Sequence, residues 1–387
     1  MIYIIGISIS FFLVLLLFSK KAKTQADTIL AWWLVFMGIH LSIYYLYYSL
    51  DYLTFPYLLG FEFPLPLVHG PFLYLYTMTL TDQPVLGRYK IIHFLPYVIG
   101  YFPLIPFLLQ SPGYKISVYQ GKGEGYENII LFMNGAAIFS GVLYIILSFL
   151  SIRRHQKNIA NQFSTTEKIN LTWLRYLIFG IAMIWIAVII GEDKHIYALA
   201  TLFVVYIGYF GIKQAGIFTH HPNANQIDSS PHNDSLQLKS VTVYAGAALQ
   251  SSDEASAEKG KYQKSGLSDD EANQIHFRMK ELMSNEKLYL DPELTLVTLA
   301  QRLKIHPNVL SQVINSIEEK NFYDYINQQR VEEFKYLIAQ PENQKYNLLG
   351  LAFQSGFNSK SAFNRNFKKN TGISPSEYLR DQKIFIQ

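Results

Sequence analysis

The 387-residue chain contains no cysteine, which excludes disulfide bonds, thiolate zinc sites and a cysteine nucleophile. It also lacks the HExxH pattern of zinc hydrolases and any Ser/His/Asp set that could be placed on one side of the molecule. The glycines of Gly121–Gly125 suggest a phosphate-binding loop, but the stretch has neither the full spacing nor the strand and helix that such a loop needs. We therefore expect a protein that is not an enzyme and that carries no cofactor and no resident metal.

Charged residues are scarce in the first half of the chain. Ile2 to Phe18 contains none, and lysines follow this run instead of preceding it, which does not fit a cleavable signal peptide. Runs of roughly 18 to 24 apolar residues, the length that a bilayer core demands, recur along this half. Prolines leave the start of the third run open between Phe55 and Gly70. The seven predicted spans are 2–18, 28–50, 57–80, 91–110, 128–150, 171–191 and 195–213.

The basic residues of the short connections are distributed unevenly between the two sides of this predicted bundle. Cytoplasmic connections are enriched in Lys and Arg, so the bias places the N-terminus outside and the C-terminal half in the cytoplasm. The chain is thus predicted to be a multi-pass protein of the inner, cytoplasmic membrane. The nine inner residues are Lys20, Lys21, Lys23, Arg88, Lys90, Arg153, Arg154, Lys157 and Lys168, and the three outer ones are Lys115, Lys122 and Lys194.

Four ionisable residues, His40, Glu62, His69 and His93, lie at or near membrane depth. Such groups are costly there unless they face a partner or a water-filled cavity. One interpretation is a pocket for an unknown signal ligand, with His40, Glu62 and His69 as candidate binding residues beside the tyrosines of 44–48. The alternative is that they form interfacial belts and interhelical hydrogen bonds, which histidine and tyrosine commonly supply in membrane proteins.

The composition changes abruptly after the last apolar run. Residues 220–264 are rich in Ser, Asn, Ala, Gln and Gly and show little apolar periodicity, which is typical of a flexible linker. We predict a transmembrane sensor domain at 1–215, a linker at 216–264 and a separate C-terminal domain at 265–387.

The C-terminal domain begins with a capping box at Ser268–Glu271, which opens a helix with apolar residues at helical spacing. Two short helices follow, and Pro307 is well placed as the first residue of the second one. At about 100° per residue, one face of that helix is apolar and the other carries Asn308, Ser311 and Gln312. Two short helices with a brief turn and a polar outer face indicate a helix-turn-helix unit.

The same arrangement is repeated at 347–370, after a longer connecting helix at 322–338. Gly356 provides the turn, and Phe363 and Phe367 share one face of the following helix. Ser361, Asn364, Arg365 and Lys368 project from the opposite face, and Lys360 lies on the flank. The stretch 356–370 contains four cations, Lys360, Arg365, Lys368 and Lys369, and no acid.

The segment GFNSKSAFNRNFKK, followed by TGISPSEYLR, resembles the C-terminal signature of the AraC/XylS family of transcription regulators, and FYDYINQQRV is similar to its connecting helix. The resemblance covers about 265–382. It implies two recognition helices that enter successive major grooves, with base-reading residues at Asn308, Ser311, Gln312, Lys360, Ser361, Asn364 and Arg365. Arg302, Lys368 and Lys369 are better suited to phosphates. Lys304, His306 and Phe334 depart from the family pattern, since glycine, a hydroxyl cap and alanine are usual there.

Together these patterns predict an all-α protein: a seven-helix transmembrane bundle plus a cytoplasmic all-α domain with two helix-turn-helix units. The expected function is a membrane-embedded, sequence-specific transcription regulator that couples a signal at the membrane to gene expression. Expected partners are double-stranded DNA, the lipid bilayer, a signal ligand, RNA polymerase and a second copy of the chain in a homodimer. The alternative is a membrane transporter or receptor whose cytoplasmic tail binds a protein partner.

Overall fold

The computed structural model describes residues 2–81, 83, 87–167, 169–190, 193–215, 267–343 and 345–382. Within these ranges every regular element is helical, apart from one isolated antiparallel bridge between Phe163 and Thr295. The all-α prediction is therefore confirmed for the described residues. The predicted linker at 216–264 lies outside them.

The chain divides into two compact units. The first comprises Met1–Gln156 and Leu171–His221, and the second comprises Lys157–Asn170 and Pro222–Gln387. The second unit therefore includes a short segment that interrupts the first unit in sequence and that begins with the last residues of the helix Glu127–Gln162.

The helices of the first unit begin and end at positions set largely by prolines and polar caps. Thr24 caps the second helix through a reciprocal capping box with Asp27. Pro66 is the first residue of the third helix, since its missing N–H costs nothing in the first turn. The helices are α1 (Ile2–Ser19), α2 (Gln25–Tyr48), α3 (Pro66–Leu80), α4 (Gly87–Ile92), α5 (Leu95–Ile99), α6 (Ile105–Leu108), α7 (Pro112–Gln120), α8 (Glu127–Gln162), α9 (Thr172–Ile190) and α10 (Asp193–Ala215).

Among the described residues, three helices are long and apolar enough to cross a membrane, where the sequence predicted seven. These three are α2, α8 and α9, and their apolar stretches correspond to three of the predicted spans. The predicted span 57–80 is helical only from Pro66 onward, and 91–110 is divided into short helices by Pro96, Pro103 and Pro106. The first and last spans form helices whose apolar stretches, Tyr3–Ser19 and His195–Phe210, are shorter than eighteen residues.

The first unit is apolar on its surface as well as in its core. Trp33, Leu34 and Leu174 are fully buried, whereas Phe139 is 71% exposed and Ile190 is 79% exposed. Helices that are apolar on both faces are typical of proteins whose outer surface meets lipid, because an extensive exposed apolar surface is unfavourable in water.

The second unit has two hydrophobic cores that share one long helix. The helices are α11 (Asp269–Glu286), α12 (Leu296–Leu303), α13 (Pro307–Ile317), α14 (Phe322–Ala339), α15 (Leu348–Gln354), α16 (Lys360–Thr371) and α17 (Pro375–Asp381). The first half of α14 buries Phe322, Tyr325 and Ile326 against α11, α12 and α13. Its second half buries Phe334 and Ile338 against α15 and α16. Helix α14 therefore holds two small helical cores side by side.

Candidate nucleic-acid interface

The first helix-turn-helix unit is formed by α12, a short turn and α13. Lys304 ends α12 in a left-handed conformation (φ 54°), which explains why glycine is usual at this position. Nδ1 of His306 accepts a hydrogen bond from the N–H of Asn308 (3.2 Å), so the imidazole takes the place of a hydroxyl cap. Pro307 is the first residue of α13, as predicted.

Helix α13 buries one face and leaves the other accessible. Leu310, Val313 and Ile314 lie in the first core. Asn308 is exposed, and Ser311 and Gln312 are half-buried. The hydroxyl of Ser311 accepts a hydrogen bond from the Asn315 amide (3.3 Å), so Ser311 is held within its own helix. Of these three candidate readers, Asn308 is the most accessible to a ligand.

The second helix-turn-helix unit is formed by α15, a turn at Gly356 and α16. Gly356 has φ 92°, and a Cβ there would lie 2.4 Å from the carbonyl oxygen of Tyr289, so no other residue fits without a backbone shift. The hydroxyl of Ser359 caps α16 by accepting a hydrogen bond from the N–H of Ala362 (3.2 Å). The turn and the cap together fix the direction in which α16 leaves the core.

Helix α16 is divided between a buried aromatic face and an exposed polar one. Phe363 and Phe367 are fully buried and pack against Phe334 of α14, with ring centroids 4.6 and 5.5 Å away. Phe334, an aromatic residue where the family usually has alanine, thus fills the space between the two helices. The residues exposed on the opposite side are Lys360, Ser361, Asn364, Arg365, Lys368 and Lys369.

Two of the three candidate phosphate contacts already have acidic neighbours. Lys369 Nζ lies 2.6 Å from a carboxylate oxygen of Asp324, and Arg302 lies 3.5 Å from Glu286. Both basic side chains are more than half exposed, so these ion pairs are weak and compatible with exchange for a phosphate.

A cavity of about 640 Å³ lies within the first unit. It is lined by the C-terminal parts of α2 and α9 and by the N-terminal parts of α3, α8 and α10. Its lining is mostly aliphatic and aromatic and includes all three candidate signal-binding residues, His40, Glu62 and His69. His93 is instead hydrogen-bonded to the Tyr144 hydroxyl (2.9 Å).

The polar groups of this cavity form two hydrogen-bonded sets. Trp33 Nε1–H donates to Nδ1 of His69 (3.3 Å), so in a neutral imidazole Nε2 of His69 carries the proton and donates to Nδ1 of His40 (3.0 Å). This leaves the Nε2–H of His40 as a donor. The hydroxyl of Tyr119 and the N–H of Gly60 (2.9 Å) donate to the two carboxylate oxygens of Glu62. The histidine pair also links α2 to α3, as the alternative interpretation expects.

Residues 299–381 match a family model described as a helix-turn-helix domain. The C-terminal region contains a helix-turn-helix domain of the AraC type. A protein of Escherichia coli K12 described as an uncharacterized HTH-type transcriptional regulator, YijO, is 36% identical over 87 residues. That match covers 22% of this chain and only 30% of the relative. A solved structure of a protein of unknown function from Listeria innocua is 27% identical, with a TM-score of 0.24, over 28% of this chain and 95% of that one.

Within the helix-turn-helix domain, Arg365 has two partners. Its guanidinium donates to the Tyr323 hydroxyl (2.8 Å) and to a carboxylate oxygen of Glu167 (2.6 Å). Burial lowers the pKa of Arg365, but these two partners outweigh burial and raise it overall, so the side chain stays charged. Glu167 lies 198 positions earlier in the sequence, in the short segment that joins α8 to α9.

Arg330 of α14 lies at the centre of a buried polar cluster. It is 1% exposed, and it donates to the carbonyls of Tyr289 (2.7 Å), Asp291 (2.8 Å) and Ser164 (3.1 Å) and to the Ser164 hydroxyl (3.1 Å). Burial lowers the pKa of Arg330 to about 10, but the group remains protonated at neutral pH.

Sequence reasoning did not identify Ser164, Glu167 or Tyr323 as parts of this site. The only signal that could have pointed to the first two is that 153–170 is a polar stretch between two apolar runs, in which Glu167 is the one acid.

Proposed function

We propose that this protein is a membrane-embedded, sequence-specific DNA-binding transcription regulator. The observation that carries the proposal is the pair of helix-turn-helix units on one shared helix, α14, each with a polar face on its second helix. The family match supports DNA binding by this domain. Because the chain spans 30% of the E. coli relative, regulation by the whole protein is our inference. RNA polymerase and a second copy of the chain are the further partners that we propose.

Membrane embedding is supported by three helices of sufficient length and by the exposed apolar surface of the first unit. We infer that α1, α10 and the proline-interrupted helices between α2 and α8 also lie in the bilayer, for seven crossings in total. The distribution of Lys and Arg then places the N-terminus outside and the helix-turn-helix domain in the cytoplasm.

We further propose that the cavity near His40, Glu62 and His69 binds the signal. Its volume suits a small molecule, and its lining favours an uncharged, largely apolar ligand with a hydrogen-bond acceptor for the Nε2–H of His40. Glu62 accepts hydrogen bonds from Tyr119 and Gly60, which fix the orientation of its carboxyl group in the cavity.

The DNA-binding proposal is tested with the full chain in lipid nanodiscs and a pool of random duplexes. We expect a preferred sequence in the wild type. In Arg365→Ala we expect the preference at one base pair to weaken by about 1–3 kcal/mol, the usual value of a bidentate arginine–guanine contact. Arg365→Lys keeps the positive charge but loses the paired N–H donors of the planar guanidinium, so we expect it to lose the same preference.

Lys335→Ala is the matched control, because it removes a cation that pairs with Glu332 on α14. Unchanged selection in both Arg365 variants would remove Arg365 from base reading. Absence of any sequence preference in the wild type would contradict the proposed function itself.

A further inference from the structure

The segment 163–167 docks on the helix-turn-helix domain through its backbone and side chains. Phe163 forms a bridge with Thr295. The N–H and hydroxyl of Ser164 both donate to the carbonyl of Leu294, at 3.3 and 2.7 Å, and the hydroxyl of Thr165 donates to the carbonyl of Pro292 (2.8 Å). These contacts attach the segment to the turn that precedes α12.

The attachment also completes a buried polar cluster. The carbonyl of Ser164 accepts from the Asn327 amide (2.9 Å) and from Arg330 (3.1 Å), and each of these three residues is 1% exposed. A buried donor that loses its partner is destabilising, and release of Ser164 would remove one acceptor from Asn327 and two from Arg330 unless water replaced them, while the bonds to Tyr323, Tyr289 and Asp291 would remain. These buried hydrogen bonds therefore fix the position of the segment on the helix-turn-helix domain.

The end of the segment meets the second recognition helix. Glu167 is mostly buried, with 18% of its side chain exposed, and its carboxylate accepts from the Arg365 guanidinium. Nη2 of Arg365 makes both contacts, with one carboxylate oxygen of Glu167 and with the Tyr323 hydroxyl, and a bidentate contact with O6 and N7 of guanine would also use guanidinium N–H groups. Arg365 cannot direct the same N–H groups to Glu167 and to a base edge.

We propose that the segment 163–167 competes with DNA for the second recognition helix, as an intramolecular partner that occupies Arg365. The inference rests on the proposed function. When the segment is docked, Glu167 takes the place of the base edge; when Glu167 withdraws, Arg365 becomes available to DNA. The contacts of Phe163 and Ser164 hold the segment in its docked position, and Glu167 withdraws from Arg365 when these contacts are released.

The segment is placed in the chain so that a signal could act on it. It joins α8 to α9, and both helices contribute residues to the lining of the cavity in the first unit, among them Asn134 and Trp185. A ligand that shifted either helix along its axis would pull on the covalently attached segment. The cavity and the competitor are thus connected through two helices.

The first test compares Glu167→Gln with Glu332→Gln in the full chain, on the duplex that the wild type selects. Both variants remove one negative charge, but Glu332 is an exposed residue that pairs with Lys335. We expect Glu167→Gln to bind roughly two- to fivefold more tightly than Glu332→Gln, the range that a partly exposed ion pair can supply. In the Arg365→Ala background the advantage of Glu167→Gln should disappear.

The second test holds the segment in its docked position. Phe163→Cys combined with Thr295→Cys places two cysteines across the bridge, within the spacing of a disulfide, and the chain has no other cysteine. We expect the oxidised protein to bind the selected duplex several-fold more weakly than the same sample after dithiothreitol. Phe163→Cys alone cannot form the intramolecular disulfide, so it shows whether the oxidant itself affects DNA binding.

Two different failures can be told apart. In the first, the reduced double-cysteine variant prefers one duplex, oxidation does not change its affinity, and Glu167→Gln and Glu332→Gln bind equally tightly. The proposed competition is then wrong, while the proposed function stands. If neither the reduced protein nor Glu167→Gln shows any sequence preference, both proposals are wrong.

Discussion

Lys304 and Lys287 are both in the left-handed backbone region, with φ of 54° and 46°, and each ends a helix of the helix-turn-helix domain. For residues other than glycine this conformation costs about 1–2 kcal/mol, because Cβ approaches the following carbonyl. The two lysines differ in what their side chains do. Lys287 Nζ donates to both carboxylate oxygens of Glu333 (2.9 and 3.0 Å), whereas the side chain of Lys304 is exposed.

We predict that Lys304→Gly stabilises the first helix-turn-helix unit by about 0.5–1 kcal/mol, since the relief of backbone strain exceeds the entropy that glycine loses on folding. The measurement is amide hydrogen exchange of α12 and α13 in the full chain. Lys287→Gly is the matched comparison, because it relieves similar strain but removes an ion pair, and we expect little net gain from it. Faster exchange in Lys304→Gly would show that the side chain is needed for stability.

Helix ends, more than helix centres, form the cavity of the first unit. The end of α9 contributes Trp185, the start of α10 contributes Ala200, and Tyr119 comes from α7. Because these residues come from separate elements, a small shift of one helix changes the shape of the cavity.

We predict that the cavity binds the neutral naphthalene dye prodan, which has an apolar body and a ketone acceptor. Titration of the full chain in nanodiscs should show saturable energy transfer from tryptophan to the dye, beyond the linear partitioning seen with empty nanodiscs. Ala200→Phe fills part of the cavity and should abolish the saturable phase. Ala198→Phe, on the same helix but outside the lining, should not. Equal saturation in the two variants would mean that the dye binds elsewhere.

The orientation that we propose for the molecule in a membrane is inferred from the charge bias, and the absence of cysteine makes it directly testable. We predict that Glu124→Cys, between α7 and α8, reacts with a membrane-impermeant maleimide in intact cells. Glu342→Cys, in the helix-turn-helix domain, should react only after the membrane is opened. Both positions are exposed in their own units, so a difference in labelling reports the side of the membrane. Labelling of Glu342→Cys in intact cells would reverse the proposed orientation.

Much of the helix-turn-helix domain could be predicted from the sequence because its signals are local. The capping box at Ser268, the proline that begins α13 and the left-handed turn at Gly356 each depend on residues within a few positions. The division of α16 into a buried and an exposed face follows from its period of 3.6 residues. The first unit was predicted less well, because hydropathy does not show where Pro96, Pro103 and Pro106 interrupt a helix.

The sequence by itself determined that the described chain is helical, that its first half is unusually apolar and that its last third has two helix-turn-helix units, because periodicity and caps act between near neighbours. Only the tertiary structure decided which groups complete the site. Ser164 reaches Arg330 across 166 positions, and Glu167 reaches Arg365 across 198. No local period encodes such pairs, since they form only when folding brings distant segments together and buried hydrogen-bonding groups must find partners.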